Sequence, residues 1–189
     1  MNGVDATVLL NSRSSTPSRL LKAPGPDTSE LQALLQSAMR VPDHGKLAPW
    51  RFIVVQGDAR QRLSEIIVAR RKSVEPEVAA EALEKDAMRF LHAPVIVVVI
   101  ASLSPGHKIP VAEQSASASA VCMQLLNAAF AANLGAQWLT GWPAYDAVIT
   151  AALGLGANEN VSGFIHIGSS DALASERPRP DLSEKLKHF

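Results

Sequence analysis

Pro94 is followed by Val95-Ile96-Val97-Val98-Val99-Ile100, six β-branched residues in a row with no polar alternation. A strand with one wet face alternates polar and apolar side chains, so a strand built from this run needs both faces covered and belongs at the centre of a sheet. The chain has 189 residues, 47% hydrophobic and 19% charged. That is enough to bury roughly 70% of the unfolded surface in an ordinary core, and it argues against disorder. No apolar run reaches the roughly 18 residues that a membrane-spanning helix requires. Eighteen Lys plus Arg balance eighteen Asp plus Glu, which removes the basic footprint of a nucleic-acid binder and permits self-association. A single cysteine, Cys122, allows no internal disulfide or thiolate cluster, and the N-terminus lacks a basic region followed by an apolar signal core. The expected setting is a reducing cytoplasm.

No repeat or low-complexity linker divides the sequence, so residues 1–189 read as one domain with a polar tail from about Ser169. Helical spacing of Leu31, Leu34, Leu35, Ala38 and Met39 predicts a helix over 27–41, opened by an Asp27/Glu30 capping box and stopped by Pro42. An earlier helix is expected over about residues 3–12. Phe52-Ile53-Val54-Val55 predicts a strand, Asp58 a cap for the helix carrying Leu63, Ile66 and Ile67, and residues 75–89 a largely solvated helix. The longest helix spans 111–134, with Gly135 as its stop, and its first half is almost wholly Ala and Ser, which suits close packing. A short strand around Gln137-Trp138-Leu139 follows, then a helix opened by Pro143 that buries Val148, Ile149, Ala152 and Leu153, then a strand near Phe164-Ile165-His166-Ile167. This order fits an α+β architecture better than regular βαβ winding.

The sequence has no G-x-S-x-G elbow, no G-x-x-x-x-G-K-[ST] loop and no H-E-x-x-H helix, which removes the best support for hydrolase or NTPase chemistry. Gly154-Leu155-Gly156 follows a helix and reads as its end rather than as a dinucleotide fingerprint. The five histidines fall in separate elements without ligand spacing, so no metal is expected. Asn11-Ser12-Arg13-Ser14-Ser15 combines a guanidinium with hydroxyls: it suits a phosphate, although residue content alone favours a solvated helix end. Arg40 and His44 flank Pro42-Asp43, where they are either displayed binding groups or a helix-end charge and a turn residue. Trp138-Leu139-Thr140-Gly141-Trp142 closes a strand and offers either ring faces to a flat ligand or core packing. Trp50-Arg51 reads as core plus an ion-pair partner, and Cys122 as an inert buried side chain.

Taken together, these segments resemble the FMN-dependent nitroreductase family, in its short branch of NAD(P)H nitroreductases. The residues that carry the resemblance are Asn11 to Ser14, Ala38-Met39-Arg40-Val41-Pro42-Asp43-His44, Pro49-Trp50-Arg51-Phe52, His107-Lys108-Ile109-Pro110, Glu113-Gln114 and the Gly135–Gly141 strand. The resemblance implies a homodimer with a mixed central sheet flanked by helices and two flavin sites at the subunit interface. It assigns Ser12, Arg13 and Ser14 to the FMN phosphate and ribityl chain, Arg40 and His44 to the same flavin from the second subunit, and Trp138, Leu139 and Thr140 to a second flavin-contacting segment. Residues Ala128 to Asn133 correspond to a segment proposed for the nicotinamide nucleotide. Three departures stand out: Ser12 and Leu139 occupy positions where relatives commonly have Arg, and two extra residues within Ser15–Ser18 shift Arg19. Arg177 or Arg179 is placed to compensate.

The implied reaction is a ping-pong oxidoreduction in which NAD(P)H reduces the flavin and an electrophilic acceptor, a nitroaromatic or quinone, then takes the electrons. A non-catalytic flavin-binding or sensing protein is the alternative that the missing arginines favour.

Overall fold

The computed structural model describes residues 6–171, 176 and 178–189. Strands β1 (Trp50–Gln56), β2 (Val95–Ser102), β3 (Gly135–Leu139) and β4 (Glu159–Gly168) form one sheet in the order β1-β2-β4-β3. The Val95–Ile100 run is central, as expected: Ile96 to Ile100 are fully buried. Val95, Val97 and Val99 face helices α2 (Thr28–Ala38) and α5 (Val111–Ala131), while Ile96, Val98 and Ile100 face α3 (Asp58–Val74) and α6 (Ala147–Ala152). The α+β class holds. The sheet itself is not mixed, because all three strand pairings are antiparallel. The reason lies in the connections. The α3 and α4 (Ala80–Met88) pair returns the chain to the end of the sheet that β1 left, so β2 runs back along β1. The single helix α5 gives β3 the direction of β2, but β4 inserts between them and removes the parallel contact.

Local chemistry sets most element ends. The Asp27 carboxylate accepts from the Glu30 N–H at 2.8 Å and the Glu30 carboxylate from the Asp27 N–H at 2.8 Å, so the capping box forms as read. Helix α1 occupies Ala6–Ser12; the start expected at residue 3 lies outside the described residues. Asp58 is the first helical residue of α3 and makes no capping bond, because Gly57, with φ of 55°, takes the cap position. The charged stretch begins as a turn, and α4 starts at Ala80. Helix α5 ends at Ala131 with Asn133 in the left-handed region, so Gly135 opens β3 instead of stopping the helix. A Cβ on Gly135 would meet Leu21 Cδ2 at 2.7 Å, which explains the glycine by close approach. Pro143 lies in a 3-10 turn, and the Asp146 side chain, accepting from Val148 and Ile149 N–H groups, starts α6 four residues later. That phase buries Ile149, leaves Leu153 half-buried and exposes Val148 and Ala152, against the expected four-residue face.

The tail is tied at its root by an isolated bridge between Lys22 and Ser169, and a short helix, α7, spans Leu182–Lys185. No helix among the described residues is long and apolar enough to cross a membrane.

Candidate functional site

Strand β3 is a sheet edge, and its outer side is occupied by the segment leaving α1. The Thr16 N–H donates to the Ala136 carbonyl at 3.0 Å, and the Ser18 N–H donates to the Gln137 side-chain oxygen. These bonds lay Thr16 and Ser18 beside Ala136 and Gln137, with Arg13 and Ser14 just before them in the chain. Arg13 and Ser14 are half-buried there. Ser12 is exposed, and its hydroxyl donates to the Val8 carbonyl at 2.6 Å, which closes α1.

Alternation along β3 divides its side chains between two faces. Ala136 and Trp138 pack on the α5 side, where the indole N–H donates to the Ser162 carbonyl at 3.0 Å. Gln137 and Leu139 point the other way and line a cleft of about 380 Å³ with Arg19, Lys85, Arg89 and His92. Despite the two-residue insertion, Arg19 therefore reaches this wall. Above Leu139, the Thr140 carbonyl accepts from Arg89 Nη1 at 3.1 Å, and Gly141 has φ of 95° with space for a Cβ closed off by Arg89 Nη1 at 2.6 Å. Arg89 thus shapes the strand's exit. It stands beside Asp86, whose Oδ1 lies 3.9 Å from Arg89 Nη2 and accepts from the Trp142 N–H at 3.2 Å. Arg71 completes this group, 3.9 Å from Asp86 and stacked over Trp142 at 5.8 Å. Sequence reading took this stretch as a solvated helix and missed it. The signal available was Lys85, Asp86, Arg89 and His92 at helical spacing.

Arg40 and His44 lie elsewhere. Arg40 is exposed at the end of α2, and His44 Nδ1 sits 2.7 Å from Glu113 Oε2 in the first turn of α5. The turn between them is built by Asp43, which accepts from the Leu47 and Ala48 N–H groups, and by Ser117, which donates to the Pro42 carbonyl at 2.6 Å. The Thr16–Ala136 tie follows the other end of α5, whose 21 residues span about 30 Å. Arg40 and His44 therefore stand at the start of α5, and the Thr16–Ala136 tie lies beyond its other end. Arg179 pairs with Glu176 at 3.0 Å, and Arg177 lies outside the described residues.

A second, open groove of about 490 Å³ runs between α1, α2 and α5 past Asn127, Ala128, Ala131 and Ala132, part of the segment marked for a nucleotide. Among the described residues no three His, Cys, Asp or Glu side chains gather to hold a metal ion. Cys122 is buried and its thiol is pushed up to about 12 by desolvation, which makes it unreactive. Arg51 forms two 2.7 Å bonds to Glu159, as its ion-pair reading anticipated. Those bonds, with help from the Gly156 N–H and Ser102, hold the Glu159 carboxyl at about 2. His166, fully buried behind Gln137, has no hydrogen-bond partner for either ring nitrogen. Burial, then the nearby charges of Arg89 and His92, lower its imidazole to about 4, so it is neutral.

The nitroreductase family model matches residues 10–169. An Escherichia coli (strain K12) protein named "Putative NAD(P)H nitroreductase YdjA" is 33% identical over 187 residues, covering 98% of this chain and 100% of that protein. The crystal structure of a nitroreductase-like family protein from Bacillus cereus superimposes with a TM-score of 0.86 at 22% identity, over 100% of this chain and 98% of the other. The FMN-dependent nitroreductase NfnB from Mycobacterium smegmatis, solved in complex with NADPH, gives a TM-score of 0.77 at 20% identity, over 97% of each chain. With sequence and fold in agreement over almost the whole length, the chain belongs to the nitroreductase family.

Proposed function

We propose that this chain is an FMN-dependent oxidoreductase that oxidises NAD(P)H and reduces an electrophilic acceptor, a nitroaromatic or a quinone, by a ping-pong sequence. The observation that carries the reading is the cleft beside the β3 edge, which Gln137 and Leu139 line together with four basic side chains, Arg19, Lys85, Arg89 and His92. Its volume falls in the range of small-molecule pockets, and its cations suit a cofactor with an anionic end. The residues present therefore fit FMN. Ser12, Arg13 and Ser14 hold the phosphate and ribityl chain; Leu139 and Thr140 line the ring, with the Trp138 indole turned to the core. When bound, FMN supplies an acceptor for hydride and a donor to the second substrate. The protein's share is to fix the reactants at a near-attack separation of roughly 3–3.5 Å and to exclude water.

Arg40 and His44 enter this site from a second copy of the chain. In support, α5 exposes Ala112, Ala116, Ser119 and Met123 at spacings of four, three and four residues, a seam on which two helices pack closely. An antiparallel pairing of α5 with its symmetry mate sets the start of one helix against the end of the other, which closes the gap of about 30 Å between the two half-sites. The nicotinamide nucleotide is assigned to Ala128–Asn133. We also place the protein in a reducing cytoplasm, in keeping with its lone Cys122.

Purification and anaerobic reduction test the reading. Flavin absorbance that bleaches with NADH or NADPH and returns on adding a nitroaromatic or quinone is the expected result. Failure to bind added FMN overturns it; a yellow protein that neither donor bleaches establishes the flavin-binding, non-catalytic alternative. Arg13→Ala is expected to weaken FMN binding at least tenfold, the scale of one charge-assisted bond. Unchanged affinity in a fluorescence titration contradicts the phosphate assignment.

A further inference from the structure

Asp86 is the one buried residue of α4, at 6% exposed. A carboxylate there requires partners, and it has three: the Trp142 N–H at 3.2 Å and the guanidinium groups of Arg71 and Arg89, each at 3.9 Å. Arg71 is also paired with Glu75 at 2.6 Å, so two carboxylates balance the two guanidinium groups and Asp86 is the acidic neighbour of Arg89. Arg89 is the member that reaches the cleft, on the wall that also carries Leu139. It is also fixed from the opposite side by its 3.1 Å bond to the Thr140 carbonyl, while Lys85 and Arg19 on the same cleft are exposed. Its charge is felt inside the fold, where it helps to keep buried His166 neutral.

Leu139 stands where the family resemblance leads one to expect an arginine, and Arg89 brings a guanidinium to the same wall from α4 instead of from β3. We propose that Arg89, oriented by Asp86 and the Thr140 carbonyl, is the cation that tunes the bound flavin in this chain, in place of the arginine absent at position 139. The inference rests on the reading of the cleft as the flavin site. Its chemical basis is simple: oxidised flavin is neutral, whereas the reduced form at neutral pH is an anion with charge spread over the N1–C2 carbonyl edge. A nearby guanidinium therefore favours the reduced form and raises the two-electron potential.

The test is the flavin midpoint potential, measured by dye equilibration at pH 7 on wild-type holoenzyme and three variants, with circular dichroism as a check on folding. Arg89→Met is expected to reduce the preference for reduced over oxidised FMN at least tenfold, a fall of about 30 mV for a two-electron couple. Adding Leu139→Arg to that variant is expected to restore most of the loss by returning the charge from β3. Asp86→Asn, which keeps an acceptor for the Trp142 N–H but removes a negative charge, is expected to raise the potential, and it decides the matter if Arg89→Met does not fold. Opposite signs for the two single substitutions are what a purely structural role does not produce. A wild-type flavoprotein whose potential ignores both substitutions, or moves in the same direction with both, overturns the inference. A wild-type chain that takes up no FMN overturns instead the reading of the cleft on which it rests.

Discussion

At the scale of single residues, two buried or paired ionisable groups set separate pH windows for stability. Glu159 is held at about 2 in the folded chain against an ordinary 4.5, so its contribution is complete above 4.5 and is lost as pH falls toward 2. His166 behaves as a base whose folded value, about 4, lies below the ordinary 6.5; the unfolded chain binds its proton first, and stability falls as pH drops from 6.5 to 4. Denaturant unfolding at a series of pH values is therefore expected to show Glu159→Gln flattening the lower window and His166→Leu flattening the upper one. The leucine exchange also removes two unsatisfied nitrogens from the core. Neither property was legible in the sequence. Glu159 meets Arg51 across 108 residues, and His166 is one of five histidines until β4 places it opposite Gln137. The Asp27/Glu30 box was legible because all its atoms lie within one turn.

Among elements, the contact of β3 with β4 depends on a missing side chain. A Cβ at Gly163 would lie 2.1 Å from the Trp138 indole nitrogen, so Gly163→Ala must expel the ring and break its bond to Ser162. A loss of about 1–3 kcal/mol is expected in equilibrium unfolding, with a change in tryptophan fluorescence. Truncating Ile149, the fully buried residue of α6, is expected to cost about 2–5 kcal/mol. Strands β1, β2 and β4 were legible from β-branched runs and β3 from its short apolar stretch between turn residues, since those signals are local. Their antiparallel order was not, because it follows from β4 crossing between β2 and β3, a pairing made far along the chain. The start of α6 was misplaced for a related reason. Proline and aspartate both mark helix starts, and only the fold shows that Asp146, which also pairs with Arg70 at 2.9 Å, is the one used.

For the whole molecule, the residues proposed for the flavin site fall at the two ends of α5. The segment that follows Arg13 and Ser14 is tied to β3 by the Thr16–Ala136 bond, whereas Arg40 and His44 stand at the other end of α5. The sequence order that marked these residues as a set carries no information on which copy supplies each. If two copies share the site, a charge on the α5 seam must disrupt both assembly and cofactor binding. Ala116→Glu is expected to sediment as a monomer and to lose most of its FMN affinity; a variant that remains a flavin-loaded dimer refutes the assignment of that seam.

The insertion of β4 between its neighbours also has a consequence during translation. When β3 emerges from the ribosome, the strand that will pair with it, Glu159–Gly168, follows some 20 residues behind and is still inside the exit tunnel. Until that strand emerges, the nascent edge has no ladder to join, and the wall carrying Leu139 has nothing to lean on. A polypeptide released at residue 158 would thus lose not one strand but the pocket.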